Sequence, residues 1–185
     1  YDQEFNNLTL STVYKKGIIH IEEFTLTNSE KTGIQVSGSV PLGEQSLSNA
    51  LSITSHFTYV DMEFFTQFMP EPFPITGTLS GDFNIFSEGH SPFYEFDLKI
   101  ENGFYGRINL GEIIGNGFYK DNLLSFSSFT ADNEKGNITG SAFFPVELDY
   151  NSADFGGKMY HKPVDVTVKG RFNHMDFLTD YVSTT

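Results

Sequence analysis

The sequence predicts an all-β protein, and three features carry this prediction. Phe (20 residues), Tyr (9) and Gly (17) are abundant in the 185-residue chain, and aromatic residues favour strands over helices. Several segments alternate between apolar and polar residues, as a half-buried strand does. Similar segments recur in the same order after about a hundred residues, which indicates an internal repeat. We therefore expect at least about ten antiparallel strands joined by short turns.

The clearest alternation lies in residues 73–85, which read FPITGTLSGDFNI. Odd-numbered residues there are apolar or Gly, and even-numbered residues are polar or Pro. The same period returns in residues 94–100 (YEFDLKI) and 164–172 (VDVTVKGRF). Because successive side chains of a strand point to opposite faces of a sheet, each of these strands is predicted to have one apolar face.

Two further segments carry the repeat and share an irregularity. Residues 14–19 (YKKGII) resemble residues 119–124 (YKDNLL), at an offset of 119 − 14 = 105. Soon afterwards the apolar alternation shifts by one residue in both copies, between Ile21 and Phe24 and again, 105 residues later, at Phe126. A shift of one residue predicts a bulge or a corner between two sheets.

The repeat extends through shorter matches. Gly38 aligns with Gly140 (140 − 38 = 102) and Phe57 with Phe172 (172 − 57 = 115). We expect a single segment of an extended repeat array, residues 1–185, with units of approximately 1–103 and 104–185. The second unit would be incomplete, and the segment would belong to a longer repeat protein.

Each unit is predicted to contain one short helix. Asp61 can cap a helix over residues 62–69, which Pro70 would stop, and Asp176 can cap a helix over residues 177–182. We expect both helices to act as plugs at strand ends.

Composition argues against several classes of partner and site. The formal net charge is −13, which disfavours nucleic acid and anionic membrane surfaces as partners. The chain has no Cys, so disulfides and thiolate zinc sites are excluded. No window approaches the roughly 18 to 20 consecutive apolar residues of a membrane-spanning helix.

Signals for catalysis or for metal binding are weak. The five His residues are scattered without metal-ligand spacing, and Gly-x-Ser-x-Gly is absent. Residues 132–137 resemble a calcium loop, but Phe143 occupies the position of its Glu ligand. Paired acids such as Glu22 and Glu23 are better explained as solvated side chains than as a glycosidase couple. We expect no enzymatic activity, no cofactor and no metal.

The order of the motifs resembles a known family. Val60-Asp61, a short helix and Pro70 precede the strand ITGTLSGDF, residues 75–83. Further motifs follow in order: Ser91-Pro92, Glu101-Asn102-Gly103, NGFY at residues 116–119, and ITGS at residues 138–141 with Pro145. This succession resembles the AsmA-like repeat of TamB-type bacterial envelope proteins over nearly the whole chain. The departures are a heavy use of Phe where the family has Leu or Val, and a polar segment at residues 151–163.

The resemblance implies a fold and a function. The fold would be a long antiparallel sheet folded into a trough (β-taco-like). The parent protein would be anchored in the inner membrane and span the periplasm. Its role would be phospholipid transport to the outer membrane or assembly of outer-membrane proteins, with a barrel partner of the TamA/BamA type. Phospholipid acyl chains would contact fourteen lining residues: Val36, Ile53, Ile75, Leu79, Phe83, Ile85, Phe96, Leu98, Ile100, Leu124, Phe126, Ile138, Val166 and Val168. Open edges at the first and last strands would permit self-association.

Two interpretations of the apolar faces remain open. A closed β-sandwich shows the same alternation as an open trough, so an adhesion or carbohydrate-binding module on a β-sandwich or β-solenoid is the alternative. Glycines in the apolar phase also permit two interpretations, because they fit either sheet curvature or bulges, or an interior left open for an acyl chain. These glycines are Gly38, Gly77, Gly81, Gly140 and Gly170.

Overall fold

The computed structural model describes residues 4–28, 32–42, 51–66, 75–88, 91–149, 156–159 and 163–173. These residues form eleven strands and one helix. The elements are β1 (Asn7–Lys15), β2 (Ile18–Thr27), β3 (Gly33–Pro41), β4 (Ser52–Asp61), α1 (Met62–Thr66), β5 (Ile75–Glu88), β6 (Ser91–Tyr105), β7 (Ile108–Lys120), β8 (Leu123–Asn133), β9 (Gly136–Asp149), β10 (Gly156–Met159) and β11 (Asp165–Phe172).

All eleven strands belong to one open sheet, which confirms the predicted all-β fold class. Strands β1 to β9 lie in chain order, and each pairs antiparallel with the next. The long strand β9 pairs with β11 along Gly136–Phe143 and with β10 along Val146–Asp149. The three predicted alternations fall in β5, β6 and β11, although Phe73 lies outside the described residues.

The register shifts at both predicted positions. The pairing of β2 with β3 shifts between Ile21 and Phe24, and that of β8 with β9 shifts between Phe126 and Phe129. All four strands remain in the same sheet, so both irregularities are bulges rather than corners. A bulge adds one unpaired residue and bends its strand, which explains why the apolar alternation changes phase there.

Strand pairing corrects the alignment of the repeat. The bulges equate Ile21 with Phe126 (126 − 21 = 105). Ile21 pairs with Gly38 and Phe126 pairs with Ala142, so Gly38 corresponds to Ala142 and not to Gly140. The same pairing makes Ile34 equivalent to Ile138. Ile34 pairs with Phe57 and Ile138 pairs with Gly170, so Phe57 corresponds to Gly170 rather than to Phe172. The sequence alignment matched identical residue types, whereas the strand register shows which backbone positions are equivalent.

Helix α1 confirms the capped helix predicted after Asp61. The backbone N–H of Glu63 donates to Asp61 Oδ1 at 2.9 Å, which satisfies one of the free N–H groups at the helix start. The predicted continuation over residues 67–69, and the second predicted helix over residues 177–182, lie outside the described residues.

Aromatic contacts place α1 on the apolar face. The Phe65 ring lies 5.5 Å from Phe57 of β4, and the Phe64 ring lies 5.2 Å from Phe5, which precedes β1. Strands β2 and β3 separate β1 from β4. The helix therefore reaches across the start of the sheet, where Val60 is fully buried and Met62 is 9% exposed.

Few apolar side chains are fully buried among the described residues. The buried hydrophobic residues are Ile34, Val60, Met62, Leu79, Tyr119 and Ala142. A sandwich buries the inner faces of both its sheets under side chains of the opposite sheet. Most apolar side chains of this sheet are instead only half-buried, as expected for a sheet whose apolar face is largely open within the described ranges.

Candidate functional site

Register places all fourteen predicted lining residues on one side of the sheet, which we call the apolar face. Phe83, for example, pairs with Phe96 of β6, and Phe126 of β8 pairs with Ala142 of β9, which in turn pairs with Val166 of β11. Leu79 is 7% exposed, whereas Val166 and Val168 are 48% and 54% exposed. Exposure is high at β11 because no described strand pairs with its outer edge.

Aliphatic side chains form a continuous row across six strands of the apolar face. In pairing order this aliphatic row consists of Val60, Leu79, Ile100, Ile113, Ala131 and Ile138. Five inter-strand spacings of about 4.8 Å give a length of about 24 Å. One leaflet occupies roughly half of a bilayer core about 30 Å thick, so the row is longer than a single extended acyl chain in a leaflet.

Beside the aliphatic row lies an aromatic cluster formed by Phe83, Tyr94, Phe96, Tyr119, Phe126 and Phe144. Neighbouring ring centroids in it are 5.3 to 6.2 Å apart, within the range of favourable aromatic pairs. Tyr119 is 5% exposed, and its hydroxyl donates to Asn122 Oδ1 at 3.0 Å. The apolar face thus has an aliphatic part and an aromatic part.

Sequence reasoning missed several members of this face. It assigned Tyr94 to the apolar side of its strand without naming it as a lining residue, and it did not place Ile113, Tyr119 or Phe144 on the face. Each of these three has an apolar neighbour in the chain: Ile114, Phe118 and Phe143. Doubled apolar residues hide the two-residue period, and only their register with β6, β8 and β9 decides which one faces the aliphatic row.

The structure favours bulges over an open interior for the inward glycines. Gly38 and Gly81 have positive φ angles of 143° and 130°, and the backbones of Ser52 and Asp97 occupy the positions where their side chains would begin. Both glycines pair next to a register shift. At Gly140 the carbonyl oxygen of Thr167 and the ring of Phe129, whose Cζ would lie 2.6 Å from an added Cβ, occupy the space. None of these three glycines leaves room for an acyl chain.

The opposite side, which we call the polar face, carries the charged side chains. Lys99 lies 2.8 Å from Glu101 and 2.7 Å from Glu112. Side-chain hydrogen bonds to Glu101 and then Glu112 hold the pKa of Lys99 above its usual range. His56 Nδ1 lies 2.8 Å from Asp82. Within the described ranges no three His, Asp or Glu side chains come close enough together to hold a metal ion.

The other candidate chemical groups occupy ordinary structural positions where they are described. His20 Nδ1 is 3.0 Å from Ser39 Oγ, while His90, His161 and His174 lie outside the described residues. The calcium-like residues 132–137 form the β8–β9 turn, where Asn133 Oδ1 accepts from the backbone N–H groups of Lys135 and Gly136 at 2.8 and 3.1 Å.

The comparisons with known proteins return no relative. No family model, curated protein or solved structure matches the chain. No helix in the described part of the chain is long and apolar enough to cross a membrane.

Proposed function

We propose that this chain binds lipid acyl chains on its apolar face, as part of the periplasmic region of a TamB/AsmA-like envelope protein. The supporting observation is the aliphatic row. It runs without a polar interruption across six strands of a single sheet. Val60 and Leu79, on the two strands that α1 contacts, are buried, and the residues from Ile100 onward are only half-buried. Apolar surface left open to water in this way is typical of a binding surface.

The shape of the row suits an alkyl chain. An acyl chain is a linear apolar ligand with no hydrogen-bonding groups along its length, and the row offers one aliphatic side chain on each of its six strands. Burying a methylene group contributes roughly 0.8 kcal/mol, so a chain of many methylenes can bind without any polar contact. The aromatic cluster beside the row supplies one wall.

The transport role extends this binding proposal. A row that crosses strand after strand continues for as long as the sheet does, so a repeat array would offer a path for acyl chains along its length. Phospholipid would move along that path between inner and outer membranes. The inner-membrane anchor and the outer-membrane barrel partner of the TamA/BamA type belong to the same proposal and rest on the order of the sequence motifs.

Lipid analysis of the purified chain tests this proposal. The chain is purified without detergent, extracted with organic solvent, and the extract is analysed by mass spectrometry against an equal amount of a control protein of similar charge. We expect phospholipid in near-stoichiometric amounts. Extracts no richer in phospholipid than the control, together with no uptake of added phospholipid, would contradict the proposal.

A carbohydrate-binding module is the second candidate, and one observation favours it. Three rings lie together on the polar face: Phe86 and Phe93 are 4.7 Å apart, and Phe93 and Phe118 are 6.0 Å apart and nearly parallel. Lys120 Nζ lies 5.6 Å from the Phe93 ring. Binding of soluble polysaccharide that is lost in Phe118→Ala, in a chain that carries no lipid, would place this candidate first.

A further inference from the structure

A cavity that is open to solvent lies beside the bulge in β8, on the polar face. Its volume is about 300 Å³. Phe129, Gly140 and Lys169 contribute to its wall together with six residues that have hydroxyl side chains: Ser127, Ser128, Thr130, Thr139, Ser141 and Thr167. Thr139 lies between Ile138 and Gly140, which belong to the apolar face, so the cavity opens on the side of the sheet away from the aliphatic row.

The backbone of the bulge is incompletely paired. Ser127 has no register partner on β7 or on β9, and Ser128 pairs only with Asn116 of β7. The extra residue of a bulge is left out of the ladder, which places Ser127 outside the strand pairing on both sides. The Ser128 hydroxyl accepts a hydrogen bond from Asn116 Nδ2 at 2.9 Å, and its own proton is left to donate.

Lys169 gives the cavity its charge. It lies on β11 opposite Thr139 and contributes to the cavity wall, which contains no Asp or Glu. The ion pairs found among the described residues do not include Lys169. Lys169 is therefore the one charged residue of this cavity wall, on a chain with a formal net charge of −13.

The first repeat supplies an internal comparison. Its equivalent bulge carries Glu22 and Glu23 at the positions of Ser127 and Ser128, at the offset of 105, and pairing equates His56 with Lys169. Glu22 accepts from Ser11 Oγ at 2.8 Å and Glu23 from Thr25 Oγ1 at 3.2 Å. Two bulges of the same backbone geometry therefore carry opposite chemistry, so the bulge itself does not require serine and lysine.

We propose that the cavity at the β8 bulge binds a phosphate group of a small water-soluble molecule. The ammonium of Lys169 supplies the charge, and the hydroxyls of Ser128 and Thr139 supply donors, which together are the groups that bind oxyanions most strongly. The sheet separates the cavity from the aliphatic row, so the phosphate of a lipid bound on the apolar face does not enter it. This site is independent of the proposed lipid binding.

Titration with inorganic phosphate at constant ionic strength tests the site. Amide shifts in NMR spectra of the ¹⁵N-labelled chain are followed, and those of Ser127, Ser128 and Thr139 are expected to saturate together. Lys169→Gln is expected to weaken binding at least about tenfold, as for loss of one charged hydrogen bond. Arg107→Gln is the matched control, because it removes one exposed positive charge at the β6–β7 turn. The affinity of Arg107→Gln for phosphate is expected to stay within about twofold of that of the unaltered chain.

A second variant introduces the Glu residues of the first repeat's bulge at the equivalent positions of the β8 bulge. Ser127→Glu combined with Ser128→Glu is expected to abolish phosphate binding while the circular dichroism spectrum is retained. If that variant unfolds, Ser128→Ala is measured instead and is expected to weaken binding about threefold or more. A parallel experiment measures binding of the unaltered chain and of Lys169→Gln to vesicles of phosphatidylglycerol. No Lys169-dependent binding to these vesicles is expected.

Three results would overturn the site. They are unsaturable shifts throughout the titration, equal weakening by Lys169→Gln and Arg107→Gln, and Lys169-dependent binding to vesicles without binding of inorganic phosphate. The second would indicate general charge screening, and the third would make the ligand a lipid headgroup.

Discussion

The ring of Phe96 on β6 lies directly over Gly117, its pairing partner on β7. An added Cβ at Gly117 would lie 2.7 Å from Phe96 Cζ, and the carbonyl oxygen of Ser125 would be closer still. Because one of the two blocking groups is backbone, rotation of the Phe96 ring alone cannot make room. Gly117→Ala is therefore expected to lower the free energy of unfolding by about 1 to 3 kcal/mol, the usual range for overpacking, measured by urea denaturation.

Gly115 provides the control on the same strand and the same face. No atom lies within 4 Å of an added Cβ at Gly115, so Gly115→Ala is expected to be neutral or to stabilise by about 0.4 to 1 kcal/mol, by restricting the unfolded chain. Equal destabilisation by both substitutions would contradict the packing of Phe96 over Gly117.

Removal of the α1 cap is expected to weaken the start of the sheet. Asp61→Ala deletes the acceptor for the Glu63 N–H and is expected to lower the free energy of unfolding by about 1 kcal/mol. Asp61→Asn keeps an acceptor oxygen and serves as the control, with most of the stability retained. Hydrogen exchange at Met62 to Phe64 reports the effect locally, and unchanged exchange in Asp61→Ala would show that the cap has no role.

The open edges are expected to associate with other copies of the chain. No described strand pairs with the outer edges of β1 and β11, where Leu8 and Leu10 are 63% and 61% exposed and Val168 is 54% exposed. Unpaired edges with apolar side chains template further strand pairing. Sedimentation velocity should show association that rises with concentration, and Leu10→Lys should reduce it. A strict monomer at every accessible concentration would contradict this expectation.

The features that the sequence predicted correctly are local ones. The alternation in residues 75–85, the bulge after Ile21 and the cap at Asp61 are each specified by neighbouring residues, so the chain can be interpreted one segment at a time. The alignment of Gly38 with Gly140 was wrong because the strand pairing, which no local pattern encodes, sets the equivalence. Whether the apolar face stays open depends on what packs against it, so a sandwich could be set aside only after side-chain exposure was known.

The cavity at Ser127 and Ser128 was likewise beyond sequence reasoning. Ser and Thr on alternate positions are ordinary for the polar face of any strand. Lys169 is distant from them in the sequence and joins them only because β11 pairs with β9.

Lipid binding on the apolar face is tested most directly with two neighbouring residues of β7. Ile113 lies in the aliphatic row between Ile100 and Ala131, while Ile114 lies on the polar face and is 38% exposed. The affinity of a fluorescent fatty-acyl probe is measured for Ile113→Asp and Ile114→Asp, with circular dichroism to confirm that both remain folded. We predict binding weakened at least about tenfold by Ile113→Asp, since a carboxylate in an apolar contact is costly to desolvate, and within about twofold of the original for Ile114→Asp. Equal affinities for the two folded variants, or no probe binding by the unaltered chain, would contradict the proposed function.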